Sequence, residues 1–289
     1  MIIIDMNQVM ISNLMGFFKQ DPLNENWIRK VILESIHSYH KKYSKEYGNN
    51  IVLAYDSKHY WRKDYFPYYK ASRKTERKVS GLDWVKIFDL LNKIKYEIKE
   101  YFDMFTVLEV HGAEADDIIS VLCRNKKPKE KILIMSADKD FIQLQKYPGV
   151  YQYNPSKKQY ITSDSPYYFI KEHIIRGDKS DGIPNILSDD DTFVCTDKTQ
   201  KRITQKNLNV WVDQDPSRFC KTTEHRENYL RNKILIDLDC IPEELEQTIL
   251  NAYVFEALNK QRKNLLFEYL RNHKMYDLLN NFYTNPILK

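Results

Sequence analysis

Lys131-Ile132-Leu133-Ile134-Met135-Ser136-Ala137-Asp138-Lys139-Asp140 decides how the rest of the chain is read. Its apolar part has the length and β-branched character of a buried strand and is too short for a core helix. It then runs straight into two carboxylates. The same device occurs three more times. Met1–Ile4 closes on Asp5, Ile51–Tyr55 closes on Asp56, and Phe105–Val110 leads into His111-Gly112-Ala113-Glu114-Ala115-Asp116-Asp117.

Between these runs the period changes. Ile28, Ile32, Ile36, Tyr39 and Tyr43 recur at helical spacing from about Asn26 to Tyr47, where Gly48 stops the helix. Trp84–Phe102 and Glu114–Asn125 also read as helices. Strands alternating with helices predict an α/β fold, with a mostly parallel central sheet and helices on both faces. In such a sheet ligands bind beyond the carboxyl ends of the strands, so all four runs deliver acids to one edge.

After Val150 the texture shifts. Val150–Tyr153 and Gln159–Thr162 fit a hairpin or sheet edge, and Gly177–Gln205 reads as a long polar loop. Helices are expected near Tyr167–Arg176, Thr222–Ile236, Pro242–Leu258 and Lys263–Tyr283. The expected division is a catalytic α/β core over 1–165 and a smaller C-terminal helical lobe over 166–289, packed on it. Leu265, Leu266, Tyr269, Leu270, Leu278, Leu279 and Phe282 are expected in a core rather than on a docking face.

The bulk numbers exclude several classes. With 289 residues, 42% hydrophobic, the chain can bury a sizeable core. Its mean hydropathy is −0.62, and no apolar run approaches the roughly 18 residues of a membrane span. Met1–Ile4 is too short for a signal peptide and meets Asp5 at once. A soluble, cytoplasmic monomer without membrane contact is expected. Four scattered cysteines, with no C-x-x-C pair, suit neither a zinc site nor a disulfide framework. Dinucleotide and P-loop glycine motifs are absent.

The net charge of +5 is local. From Ser57 to Gly81 stand eight basic residues (Lys58, Arg62, Lys63, Lys70, Arg73, Lys74, Arg77 and Lys78) against Asp64 and Glu76, so this segment alone carries +6. Tyr60, Trp61, Tyr65, Phe66, Tyr68 and Tyr69 are interleaved with them. Cations neutralise phosphates while aromatic faces stack on exposed bases. The plainer reading is a solvated loop whose aromatics pack on the body.

The candidate metal ligands are Asp5, Asp56, Glu114, Asp116, Asp117, Asp138 and Asp140, joined by Asp178 and Asp181 of Gly177-Asp178-Lys179-Ser180-Asp181. Any one of them could simply cap a helix. Nine at one edge would repel strongly unless cations or shifted pKa values relieved them. Oxygen-only donors suit Mg²⁺ or Mn²⁺ rather than zinc, and such a cluster beside a basic segment fits two-metal phosphodiester hydrolysis.

At this point a family pattern is visible. Tyr55-Asp56-Ser57, Arg62-Lys63 and Pro67-Tyr68-Tyr69-Lys70-Ala71-Ser72-Arg73 resemble the segment after the second strand of the 5′-nuclease superfamily. That superfamily includes flap endonucleases and the 5′-exonuclease domain of bacterial DNA polymerase I. Glu114–Asp117, Ser136-Ala137-Asp138-Lys139-Asp140-Phe141 and Gly177–Asp181 resemble its other three acidic signatures, in order. Tyr229–Asp237 and Ile241-Pro242 are similar to the C-terminal part of the ribonuclease H group of T-even bacteriophages. The resemblance is strong over roughly residues 1–181.

The resemblance implies that Asp5, Asp56, Asp116 and Asp138 line one metal position, with Glu114 and Asp117 beside it. Asp140, Asp178 and Asp181 would serve a second, partly through water. Lys70 and Arg73 match catalytic basic residues that reach the scissile phosphate, and Tyr69 matches a ring that stacks on a terminal base. Residues 58–81 would form an arch over a single strand, with Arg62, Lys63, Lys74, Arg77 and Lys78 on nucleic acid. The chain departs from the pattern after Asp181. Gly182-Ile183-Pro184-Asn185-Ile186 runs into Asp189-Asp190-Asp191 and then Lys198, Lys201, Arg202 and Lys206, in place of a glycine-rich helix-hairpin-helix. No potassium site is therefore expected. Lys198, Lys201 and Arg202 become the candidate phosphate contacts there, with a solvated loop as the alternative.

The activity implied is that of a 5′-3′ nuclease with two Mg²⁺, Mn²⁺ substituting, acting on RNA–DNA hybrid and on 5′-end or flap DNA. Its implied role is primer removal in phage lagging-strand replication, in host cytoplasm, alongside a single-strand binding protein or sliding clamp. A non-catalytic nucleic-acid-binding relative would have lost acids. A phosphatase would carry Asp-x-Asp where Asp5-Met6-Asn7 stands.

Overall fold

The computed structural model describes residues 1–17, 24–259 and 265–284. The chain runs through β1 (Ile2–Asp5), α1 (Met6–Phe17), α2 (Glu25–Tyr47), β2 (Ile51–Tyr55), α3 (Trp61–Tyr65), α4 (Ser72–Val79), α5 (Trp84–Tyr101) and β3 (Phe105–Glu109). It continues with α6 (Ala115–Arg124), β4 (Ile132–Met135), a 3₁₀ helix (Lys139–Lys146), β5 (Val150–Asn154) and β6 (Gln159–Ile161). Helices follow: α7 (Pro166–Arg176), α8 (Gln205–Val212), α9 (Pro216–Phe219), α10 (Thr223–Ile236), α11 (Glu243–Leu258), α12 (Leu266–Asn272) and α13 (Tyr276–Thr284).

The strands form one sheet in the order β3-β2-β1-β4-β5-β6, parallel except for the β5–β6 hairpin. Every residue of β1, β2 and β4 is buried, as parallel strands covered on both faces must be. The two-residue period sorts their side chains. Ile2, Ile4, Leu53 and Tyr55 face a core completed by α1, α2 and α5, while Ile3, Val52, Ala54 and Ile134 face a core completed by α6. Asp5 is level with Ala54, and Ile4 with Met135, so the carboxyl ends of the strands meet at one edge.

The last helices return to this sheet. Leu266, Tyr269, Leu270, Leu278 and Phe282 enter the first core, with Leu279 partly buried against it and Leu265 half-buried nearby. Ile249 of α11 enters the second. The single helix expected over Lys263–Tyr283 is instead two, because the chain turns at Lys274 in a left-handed conformation, φ 55°. Its expected start at Lys263 lies outside the described residues. The turn lets apolar faces of both short helices reach the same core.

Residues 177–204 carry neither helix nor strand, as their polarity predicts. Buried polar groups of α10 fix them in place. Asn228 Nδ2 donates to the carbonyls of Ile186 and Ser188, Asn232 Nδ2 to those of Ile174 and Pro184, and Arg231 to that of Pro184. A buried irregular backbone needs such partners for its carbonyls. Helices α1, α3, α4, α8 and α9 go beyond the sequence expectation, α3 and α4 within the segment expected to form an arch. Among the described residues no helix is long and apolar enough to cross a membrane.

Candidate active site

Three strands and one helix start build the first acid group. β1 ends on Asp5, β2 is followed directly by Asp56, and β4 leads through Ser136-Ala137 to Asp138, the N-cap of the 3₁₀ helix. The turn after β3 makes Glu114 the N-cap of α6 and places Asp116 in its first turn. Asp5, Asp56, Glu114, Asp116 and Asp138 line one open cavity of about 850 Å³. Backbone and neighbouring side chains aim them. Ser136 Oγ donates to Asp5 Oδ2 at 3.0 Å, Ala115 N to Asp56 Oδ1 at 2.8 Å, and Asp140 N to Asp138 Oδ1 at 2.9 Å. Gln8 completes this bracing: its backbone N–H donates to Asp5 Oδ1, and its Oε1 accepts from Ala137 N at 2.6 Å.

These carboxylates strain against each other. Burial, and then the charge of Asp56, push Asp5 up to about 7. Burial and Asp138 raise Asp116 well above the usual carboxylate range. Burial raises Asp56 and Asp138 as well. Clustered like charges behave this way, and Lys70 offsets only part of the effect at Asp56, Asp116 and Asp138.

The second group lies alongside. Asp140, Asp178 and Asp181 line a small neighbouring cavity with Asp116. A histidine joins them that the sequence reading did not single out. His173 on α7 holds Asp178 Oδ2 at 3.1 Å through Nε2, and its Nδ1 sits 3.3 Å from Asp140 Oδ1. Asp140, His173 and Asp178 offer ligand atoms all within 4.8 Å of one another. Burial pulls His173 down, but the Asp178 hydrogen bond and the charge of Asp140 prevail and raise it. Burial and Asp138 push Asp140 up to about 7. The only signal in the sequence was position: His173 stands four residues before Gly177, on the helix that delivers Asp178.

The basic segment docks on this group by its backbone. Lys70 is held at φ 55°, a left-handed conformation rare for a side chain of its kind, and its N–H donates to the Asp181 carbonyl at 2.7 Å. Beside it a Cβ on Gly182 would stand 2.8 Å from the Tyr68 carbonyl oxygen, so only glycine permits this approach. Lys70 Nζ reaches Glu114 Oε1 at 2.5 Å and Asp181 Oδ2 at 3.5 Å. Arg73 pairs with Asp181 Oδ1 at 2.7 Å. Burial opposes the Lys70 charge, but Asp181 and Glu114 raise its pKa. Lys70 and Arg62 in turn overcome burial at Glu114 and lower its pKa.

Beyond Lys70 the segment forms α4, which buries none of its side chains. Lys63, Lys70, Arg73, Lys74 and Arg77 line the carboxylate cavity, and Lys78 is exposed. Arg77 lies over the rings of Phe88, at 4.8 Å, and Trp84, at 5.7 Å, which fastens α4 to α5.

Four expectations need correction. Arg62 does not meet nucleic acid: it is 2% exposed, paired with Asp117 at 2.8 Å and Glu114 at 3.1 Å, and donates to the Leu235 carbonyl. Asp117 is not at a metal position. Fully buried, it faces Arg62 and accepts from Trp61 Nε1 and Glu114 N. Tyr69 cannot stack on a terminal base, because its ring is buried with Phe66, Ile174 and Ile183 and its hydroxyl lies 3.0 Å from both Glu114 and Asp181. Lys198 is not a free phosphate contact, since Asp189 at 3.0 Å and Asp191 at 2.7 Å answer its charge. Lys201 and Arg202 are exposed. Phe66 is likewise core, while Tyr65 and Tyr68 face solvent.

Residues 1–172 match the family model described as 5′-3′ exonuclease, N-terminal resolvase-like domain, and residues 164–284 match the one described as T4 RNase H, C terminal. The chain is 33% identical over 261 residues to the ribonuclease H of Enterobacteria phage T4, covering 87% of this chain and 85% of that protein. It is 27% identical over 203 residues to the exonuclease of Escherichia phage T7, covering 65% of this chain and 64% of that protein. Two crystal structures from bacteriophage T5 share the fold. One, co-crystallised with metal ions, superposes with a TM-score of 0.64 at 17% identity, covering 89% of this chain and 98% of that one. The other, a flap endonuclease in a complex with DNA and metal ions, gives 0.61 at 18% identity, covering 89% and 99%.

Proposed function

The chain belongs to the 5′-3′ exonuclease family and is a 5′-3′ nuclease, and from that premise we propose a substrate class and a division of labour among its residues. The substrate is RNA–DNA hybrid and duplex DNA with a 5′ end or flap. The role is removal of RNA primers during phage lagging-strand replication, by a monomer in the host cytoplasm. A single-strand binding protein or a sliding clamp is the kind of protein partner that role brings.

The observation that carries this reading is the convergence of Asp5, Asp56, Asp116 and Asp138 from separate elements on one open cavity, close enough that burial and mutual repulsion raise the pKa of Asp5 and Asp116. The carboxylate oxygens of both groups fit hard divalent ions, and in the second group His173 braces Asp140 and Asp178. Mg²⁺, with Mn²⁺ as substitute, would be held by Asp5, Asp56, Asp116 and Asp138, and a second ion by Asp140, Asp178 and Asp181, partly through water. Bound there, such ions supply Lewis acidity for the attack of water on phosphorus and for departure of the 3′-oxygen.

The chain's own residues do the rest. Ser136 and Gln8 hold Asp5 and the Ala137 backbone in place. Lys70 and Arg73 exchange their present partners, Glu114 and Asp181, for the non-bridging oxygens of the scissile phosphate. Lys63, Lys74, Arg77 and Lys78 bind phosphates of the strand beneath α4. Residues 1–165 act as the catalytic part and 166–289 as the part that grips duplex, with Lys201 and Arg202 toward its backbone.

The test is cleavage of 5′-labelled hybrid and flap substrates in Mg²⁺, in Mn²⁺ and in EDTA. Products ending in 5′-phosphate that appear only with the cation are expected. Cleavage that persists in EDTA, or none with either ion, would overturn the reading.

A further inference from the structure

Val150 and Gln152 stand two residues apart on β5 and so project from the same face of the sheet. Val150 belongs to the apolar core under α6, and Gln152, level with Ile134 of β4, is fully buried. A side-chain amide in an apolar layer is costly unless its hydrogen-bonding groups are used. Only one end of this amide is. Gln152 Nε2 donates to the carbonyl of Ser136, at 3.1 Å, and to that of Asp138. Its Oε1 is buried and has no hydrogen-bond partner. Turning the amide over would set that oxygen against two carbonyls, so the nitrogen must face them.

Both carbonyls belong to a turn where the chain leaves the sheet. Pairing of β4 with β5 ends at Met135 opposite Tyr153, and Ser136 N still bonds the Tyr153 carbonyl at 3.1 Å. The next residues lead into the 3₁₀ helix and carry three links to the acids. Ser136 Oγ donates to Asp5 Oδ2, Asp138 itself lines the carboxylate cavity, and Asp138 Oδ1 receives the N–H of Asp140. Gln8 grips this turn from the cavity, through Ala137 N, and Gln152 grips it from the core.

We propose that Gln152 is a positioning residue for the cation sites: its amide fixes the Ser136–Asp138 turn, so that Asp5, Asp138 and Asp140 keep the places two divalent ions require. It touches none of these carboxylates and acts only through the backbone that carries them. Groups that orient metal ligands in this way govern affinity for the ion. A buried oxygen left without a partner is the structural cost of that role. The role rests on the nuclease reading and deepens it, since it names a core residue on which both cation positions depend.

Gln152→Met keeps the length of the side chain and removes its N–H donors, and Gln143→Met is the matched control. Gln143 is also fully buried, but both its ends are bonded, Nε2 to the Ile236 carbonyl and Oε1 to Leu238 N, away from the Ser136–Asp138 turn. Titration with Mn²⁺, followed by electron paramagnetic resonance, should give Gln152→Met an apparent Kd about tenfold or more above wild type. Gln152→Asn, which keeps the amide but draws it one carbon back from the turn, should show the same rise. The Mg²⁺ concentration for half-maximal flap cleavage should rise in step. Kd for the flap in EDTA should stay within about twofold, because the phosphate contacts are untouched. Gln143→Met should lower Tm by more than Gln152→Met, which also removes an unpartnered oxygen, and should bind Mn²⁺ as wild type does. Wild-type Mn²⁺ affinity in either Gln152 variant, or equal weakening in Gln143→Met, overturns the positioning role. The nuclease reading fails separately, by a wild type that neither binds Mn²⁺ nor cleaves any substrate in Mg²⁺ or Mn²⁺.

Discussion

Arg62 and Asp117 form an ion pair of 2.8 Å that is shut from solvent on both sides, with Glu114 3.1 Å from the same guanidinium nitrogen. A cation from the most basic stretch of the chain thus serves the fold. Removing it leaves two buried carboxylates facing each other. Arg62→Ala should therefore destabilise the protein by about 3–5 kcal/mol, visible in urea unfolding. A variant as stable as wild type, yet weaker in nucleic-acid binding, would restore Arg62 to the binding surface.

Asp138→Asn separates turnover from binding. Asp138 caps the 3₁₀ helix through Oδ1, and asparagine caps as well, so the local fold should survive. If Asp138 holds a metal ion as proposed, its loss should abolish cleavage while Kd for a flap substrate, measured in EDTA, changes less than about twofold. Near-normal turnover would remove Asp138 from the site.

The exposed cations of α4 should behave in the opposite way. Neither Lys74 nor Lys78 is buried or paired in an ion bridge among the described residues. Lys74→Ala and Lys78→Ala should leave Tm unchanged and weaken binding, with the slope of log K against log salt reduced by roughly 0.7–0.9 per lost phosphate contact. An unchanged slope would mean that α4 does not touch the strand.

Gly182→Ala probes how the basic segment is seated. Its φ of 73° disfavours a side chain, and the new Cβ would press on the Tyr68 carbonyl. The turn carrying Lys70 must then shift. A displacement of about 1 Å near the reacting atoms can lower kcat by on the order of 100-fold, and circular dichroism should show the fold retained. Full activity would show that the seat tolerates movement.

Acid stability should report on α2. Burial lowers the pKa of both His37, which packs edge-on to Phe282, and His40, which contacts Asn49. Their folded-state values lie below the ordinary 6.5, so the unfolded chain binds more protons as pH falls through that value. The stability they confer as neutral groups is complete above about pH 7 and is lost progressively below 6.5. Unfolding free energies of wild type and of a His37→Leu, His40→Gln variant, compared between pH 8 and 5.5, should diverge in slope below 6.5. Parallel curves would contradict the assignment.

The sequence by itself determined the sheet and the side of it that matters. Four short apolar runs, each followed within a few residues by an acid, leave few arrangements once both faces of β1, β2 and β4 must be buried. Chain order alone then predicts that Asp5, Asp56, Asp116 and Asp138 share an edge, because parallel strands all point their carboxyl ends one way. The basic character of residues 57–81 was equally legible, since net charge is additive along a chain.

What only the tertiary structure decided was which charged groups face the cavity and which face each other. Arg62 and Lys63 are adjacent in sequence and alike in charge, yet one is buried against Asp117 and the other is exposed. Glu114, Asp116 and Asp117 lie within one helical turn, and the rotation of α6 sends Asp117 inward to Arg62 while Asp116 meets the carboxylates. Tyr69 and His173 acquired their partners, Glu114 with Asp181 and Asp140 with Asp178, from segments 45 to 112 and 5 to 33 residues away. Burial and pairing are properties of a position in space, and the low dielectric that makes them decisive exists only once the core has closed around them.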